Sequence, residues 1–162
     1  MIIGLIYKDE AVLSLVFSAL KKLFGSIDFE SNALNFNHTD YYQKEFGADL
    51  KKRFISFRKL IPPEQLSRIK IKTNRIESKL STRGARRVNI DPGYLDLSKL
   101  LLATTKDYRH RIYIGDGIFA EITLYYQDKS FKPWEWTYPD YRTLEYIETF
   151  NHLREIYRKQ VS

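Results

Sequence analysis

The 162-residue sequence contains no cysteine, and that absence excludes disulfide frameworks, cysteine-ligated zinc, iron–sulfur clusters and thiol nucleophiles together. Glycine is scarce, at seven residues. Neither G-x-x-x-x-G-K-[ST] nor G-x-G-x-x-G occurs, so the two commonest glycine loops that cradle phosphates are missing and a Rossmann reading falls away. The three histidines, His38, His110 and His152, lack the i, i+4 spacing that puts two imidazoles on one helical face, and no metal site is expected. No apolar run approaches the roughly 20 residues that span a bilayer. The opening M-I-I-G-L-I-Y-K-D-E has neither a basic stretch nor a small-residue cleavage site and reads as an unprocessed soluble chain. The missing cysteine fits the cytoplasm, and nothing in the sequence names a cofactor.

What is present points to an ordinary globular chain. The length suits one domain over residues 1–162 that buries a core without staples. The hydrophobic share of 43%, with 15% aromatic residues and twelve tyrosines, excludes a disordered protein and suggests many rings buried up to a polar tip. The net charge of +7 is unevenly placed. Residues 51–87 hold thirteen Lys or Arg against two Glu, a net of +11, while the remainder carries fourteen basic and eighteen acidic residues, a net of −4. Clustered positive charge attracts phosphate backbones, nucleotides or acidic surfaces. A solvated face laced with ion pairs is the plainer alternative.

Periodicity orders the elements. Residues 2–7 form an apolar run that suits a buried strand. Asp9 caps a helix, apolar on nearly every side, that stops at Gly25 with Lys21 and Lys22 in its last turn. Residues 26–37 alternate loosely as a strand with an irregular middle. Thr39 suits the N-cap of a short helix closed at Gly47. Leu50–Leu60 reads as a strand ended by Pro62-Pro63. A helix then runs to Leu80 with Leu66, Ile69, Thr73, Ile76 and Leu80 inward. On that helix Arg68, Lys72, Arg75 and Lys79 fall within about 60° of one another, a basic ridge away from the apolar line. Arg86–Ile90 reads as a short strand stopped by Asp91-Pro92-Gly93, which fits a type II turn with glycine at positive φ. Asp96 then caps a helix over 97–105. Residues 110–126 alternate about Gly115-Asp116-Gly117 as a hairpin with a three-residue loop, with Ile112, Ile114, Ile118, Ala120, Ile122 and Leu124 toward the core. An aromatic loop through W-E-W-T-Y-P-D-Y leads to a last helix from Pro139 to Lys159 with Leu144, Ile147, Phe150, Leu153 and Ile156 inward. This order predicts an α+β fold: a ferredoxin-like (split βαβ) two-layer sandwich with an antiparallel sheet, extended by a C-terminal β-hairpin and helix.

Two stretches carry chemistry. Thr104–Arg111 offers hydroxyls, cations and an imidazole that could hold an anion and move a proton, or it is a helix end and a strand with charges outward. Glu121 pairs with a cross-strand cation such as Arg111, or serves as a general base in a cleft. The tryptophan run could stack bases, but no cation interleaves it, and it suits better a clamp that seals a core edge.

The chain resembles the bacterial and archaeal domain-of-unknown-function family 4416 over nearly its whole length. The motifs are T-D-Y-Y with Glu45 and Gly47, R-F and S-F at 53–57, Lys72-Thr73-Asn74 with Glu77, and R-x-N-x-D-P-G-Y at 87–94. They continue with A-T-T-K-D-Y-x-H-R-I-Y at 103–113, G-I-F-A-E-I-T-L at 117–124 and W-T-Y-P-D-Y at 136–141. The resemblance implies no substrate or cofactor, because the family has no established activity, and His38 departs from its pattern. It does imply one shared polar cleft that would gather Thr39, Asp40, Glu45, Arg53, Thr73, Asn74, Glu77, Arg87, Asn89, Asp91, Lys106, His110, Arg111, Glu121 and Asp140.

Three function classes follow. In the first, a cleft binds a phosphorylated or anionic small molecule through Arg53, Arg87, Asn89, Lys106 and Arg111, with Asp91, His110 and Glu121 as acid–base groups. In the second, Arg68, Lys72, Arg75 and Lys79 bind RNA or DNA. The third is an interaction protein without catalysis, marked by an exposed apolar patch.

Overall fold

The computed structural model describes residues 1–37 and 42–162, apart from the side chains of Gln43 and Lys44. His38, Thr39 and Asp40, with the helix cap expected at Thr39, lie outside the described residues. The fold is α+β, with nine strands, three long helices and a four-residue helical turn among the described residues. Two compact units divide the chain: Met1–Ile61 with Arg68–Pro92, and Pro62–Ser67 with Gly93–Ser162.

In the first unit β1 (Ile2–Tyr7) is buried along its whole length. It pairs antiparallel with β4 (Lys51–Phe57), from Ile2 opposite Ser56 to Tyr7 opposite Lys51. The order is β2-β4-β1-β5, with β2 (Ile27–Glu30) and β3 (Leu34–Asn35) both antiparallel to β4, and β5 spanning Val88–Leu95. Helix α1 (Glu10–Phe24) starts where the Asp9 carboxylate accepts from Ala11 N and ends where Gly25 N donates to Lys21 O. It is two-sided and not apolar all round: Val12, Val16 and Leu20 are buried with Ile3, Leu5 and Ile55, while Leu15 is 54% exposed. Helix α2 is Gln43–Phe46. Helix α3 (Leu66–Leu80) follows a 3-10 turn at Pro63–Gln65 and buries Ile69, Thr73 and Ile76 as its spacing requires.

In the second unit the order is β5-β6-β8-β7, and β9 also pairs with β8. These strands are β6 (Lys99–Thr104), β7 (Ile112–Gly115), β8 (Ile118–Gln127) and β9 (Ser130–Pro133). Helix α4 (Leu144–Gln160) closes the chain, with Tyr146, Ile147, Phe150 and Leu153 buried. It begins at Thr143, whose hydroxyl accepts from Tyr146 N, after a 3-10 turn at Pro139–Arg142. Leu144 is therefore in the first turn and 79% exposed, not inward.

Several local expectations are corrected. Asp91-Pro92-Gly93 is not a turn: β5 continues through it to Leu95, and Gly93 is absent from the positive-φ glycines. Its glycine answers a close approach, since a Cβ there would lie 2.0 Å from the Leu101 carbonyl oxygen of β6. Residues 99–104 are a strand and not a helix, because Asp96 Oδ1 accepts from Ser98 N and Lys99 N and so caps a tight turn. The β7–β8 loop has two residues, Asp116 (φ 56°) and Gly117 (φ 73°), the pattern of a type I′ hairpin. Ile112 is 68% exposed on terminal strand β7. The core-side alternation along β8 breaks because Leu100 faces Leu124 and Leu101 faces Ile122, leaving Thr123 as an extra residue.

Candidate functional site

The β7 ladder on β8 ends at Ala120 and the β9 ladder begins at Leu124, so Glu121–Thr123 lies between them. The W-E-W-T segment fills this stretch. Trp136 Nε1 donates to the Ile122 carbonyl at 3.1 Å and the Thr137 hydroxyl to the Thr123 carbonyl at 2.6 Å. Arg142 secures the segment by donating to the carbonyls of Thr137 and Glu135. The tryptophan run is thus a clamp, and its ring faces are occupied. Trp134 stacks on Trp136 (5.0 Å, 11°), Trp136 on His110 (5.4 Å, 15°), Tyr125 lies against Trp134, and Tyr108 meets the His110 ring edge-on. Base stacking would need a face this column has already used.

Beneath the column lies a buried ionic centre. The hairpin register places Ile112 opposite Ala120 and so brings Arg111 to Glu121, the cross-strand pairing expected from the sequence. Glu121 Oε2 accepts from Arg111 Nε at 2.8 Å and lies 3.2 Å from His110 Nε2. The side chains of Glu121, Arg111 and His110 are only 2%, 8% and 13% exposed. Arg111 also donates to the Lys106 carbonyl and to the Tyr138 hydroxyl. Burial works against its cation, but the bonds to Glu121 and Tyr138 outweigh that and raise its pKa. The roles of the two His110 nitrogens follow the tautomer: with Nε2–H turned to Glu121 Oε2, Nδ1 carries the lone pair. Among the described residues, Nδ1 of His110 and Oε1 of Glu121 are buried without a hydrogen-bond partner, as are Thr123 Oγ1 and Trp134 Nε1. Native proteins seldom leave such atoms unmatched, and two in one ion-pair centre can meet a ligand.

The first unit holds a second buried network. Glu77 Oε1 accepts from Ile90 N at 2.6 Å, and its Oε2 lies 3.5 Å from Arg86 Nη1. Arg86 forks onto Glu45 through Nε (2.9 Å) and Nη2 (2.7 Å), and its Nη1 donates to Asn89 Oδ1. Asn89 Nδ2 donates to Asp91 Oδ2, and buried Lys70 donates to the Ile90 carbonyl and approaches Asp91 Oδ1. Burial pushes the Glu77 carboxyl above its usual range, while the hydrogen bonds from Arg86 hold Glu45 below it.

The suspected residues therefore fall into sets of contacts, each within one unit. Asn89 and Asp91 join Glu45, Glu77, Arg86 and Lys70, and His110, Arg111 and Glu121 form the other centre. Arg53 binds Tyr7 Oη at 2.8 Å and pairs with Glu30 and Glu10, while Arg87 pairs with Asp9 at 2.8 Å. The Lys106 side chain is exposed. Arg68, Lys72, Arg75 and Lys79 are all exposed, and among the described residues none of their side chains makes an ion pair or hydrogen bond. Sequence reasoning missed Arg86 and Lys70 as parts of a network, and Trp136 and Tyr138 as partners of the centre. The one signal for Lys70 is its place on the inward line of α3, three residues before Thr73 and seven before Glu77. No group of three or more His, Asp or Glu that could hold a metal ion occurs among the described residues, nor does any helix long and apolar enough to cross a membrane.

No curated protein and no solved structure matches the chain. The model of the family described as Domain of unknown function (DUF4416) matches residues 1–157 of the 162. The two buried centres lie within that match, and the chain belongs to this family.

Proposed function

We propose that the chain binds a phosphorylated or otherwise anionic small molecule at the Glu121–His110–Arg111 centre, with His110 as the group that takes or gives a proton. The observation that carries this reading is the pair of buried, unmatched atoms, His110 Nδ1 and Glu121 Oε1, in one ion-pair centre. The ligand they fit offers a hydroxyl or amine proton to Glu121 and a second polar hydrogen or acceptor to His110. Its negative charge belongs beside the remaining N–H groups of Arg111 and the exposed Lys106. Asp91 as a further acid–base group, with Arg53, Arg87 and Asn89 as anion contacts, has weaker support, because each is already engaged within its own unit.

For the fold we infer that the first unit is ferredoxin-like. Its β-α-β-β-α-β succession, β1-α1-β2-β4-α3-β5, with strands ordered β2-β4-β1-β5, supports that reading.

Thermal melts with sugar phosphates, nucleoside phosphates and hydroxycarboxylates test the ligand site. A true ligand at about 100 times its Kd adds about 2.7 kcal/mol, raising Tm by roughly 5–10 °C. Glu121→Gln should abolish the shift. Absence of any shift across these classes, or a shift unaffected by Glu121→Gln, rejects the reading.

A further inference from the structure

We propose that the outer face of α3 binds the phosphodiester backbone of a nucleic acid through Arg68, Lys72, Arg75 and Lys79, independently of the small-molecule site. The four cations occupy i, i+4, i+7 and i+11 on one side of the helix, so they form a row about 16 Å long. Every one is exposed and, among the described residues, none meets a carboxylate. Arg53, Arg86, Arg87, Lys99, Arg111 and Arg158 each pair with an acid, whereas among the described residues the four cations of this row do not. The only acid within the helix, Glu77, is turned inward to Ile90 N, and so does not offset the like-charge neighbours at three and four residues, which oppose one another along the helix.

The row's length selects the partner. A single small phosphate would engage one or two of these side chains. A strand carrying one charge per about 3.4 Å of axis presents about five phosphates over the same distance. An acidic membrane fits less well, because a helix that lies on a bilayer inserts apolar side chains beside its cations, and α3 has no large exposed apolar residue.

Fluorescence anisotropy of the full chain with a labelled 20-nucleotide RNA strand and a 20-base-pair DNA duplex tests the proposal. Four phosphate contacts predict a log–log salt slope of about −2.8 for the single strand or about −3.6 for the duplex. The latter is about a hundredfold loss of affinity between 50 and 200 mM salt. The Arg68→Gln, Lys72→Gln, Arg75→Gln, Lys79→Gln variant should lose that slope, and each single Gln substitution should reduce it by about 0.7–0.9. Lys21→Gln with Lys22→Gln, which removes exposed cations from α1, should leave it unchanged, as should Glu121→Gln. No binding at 50 mM salt, a slope untouched by the four substitutions, or binding only to phosphatidylserine vesicles would overturn the proposal. The arm that binds decides between RNA and DNA.

Discussion

Glu77 in the first unit and Glu121 in the second are both buried carboxylates facing an arginine, yet their surroundings close in different ways. Around Glu77 the accounting is complete. The carboxylate takes Ile90 N, Arg86 spreads its donors over Glu45 and Asn89, and Asp91 receives Asn89 and Lys70. No buried side-chain polar atom of the first unit's described residues lacks a partner. Around Glu121 one oxygen holds both Arg111 and His110, and the other has no hydrogen-bond partner among the described residues. A buried charge alone is therefore a poor marker of function. The first network ties α2, α3 and β5 together, whereas the second leaves a buried oxygen and a ring nitrogen unmatched among the described residues.

Three substitutions can break or sharpen this contrast. Arg86→Ala strands two carboxylates and should cost about 3 kcal/mol in urea unfolding; a loss below about 1 kcal/mol would mean that the network is not structural. His110→Phe keeps a ring against Trp136 while deleting the unmatched nitrogen. Its stability should stay within about 1 kcal/mol of the parent while the ligand-induced rise in Tm disappears. If it destabilises as much as Arg86→Ala, the two centres are alike and the open one is a packing element. The smallest effect is a pH dependence. Because the folded pKa of Glu77 is raised, ionising it costs stability. That loss sets in as pH rises through about 4.5, its ordinary value, and is complete above the raised one. Glu77→Gln should remove this component, so urea midpoints of variant and parent should shift in the variant's favour as pH increases. Parallel curves would show that Glu77 carries no such cost. Glu45 acts oppositely: its contribution is present above about 4.5 and lost as pH falls through its lowered folded value.

How far the sequence could be read depends on the range of the forces involved. The Arg111–Glu121 pair was legible because alternation about a Gly-Asp-Gly turn fixes which side chains face each other. The outward ridge and inward line of α3 were legible for the same reason, being a helical period. Asp91-Pro92-Gly93 misled because local turn chemistry is weaker than strand pairing, and the glycine was needed for the approach of Leu101. The run Leu100–Ala103 misled because a short apolar stretch suits a buried strand as well as a helix, and Asp96 serves either start. The stack of His110 on Trp136, residues far apart in sequence, and the grip of Glu45 on Arg86 across 41 residues left no local trace.

The two-residue hairpin loop also has a consequence for time. Arg111 and Glu121 are 10 residues apart and His110 and Glu121 are 11, against 41 for Arg86 and Glu45. Hairpins of this kind close in about 1–10 μs. Contacts of long sequence separation wait for the loops between them to be brought together. The Glu121–His110–Arg111 centre thus belongs to the fast, local part of the folding reaction, and a peptide covering residues 108–126 should already bring its charges together before the tryptophan column arrives to bury them.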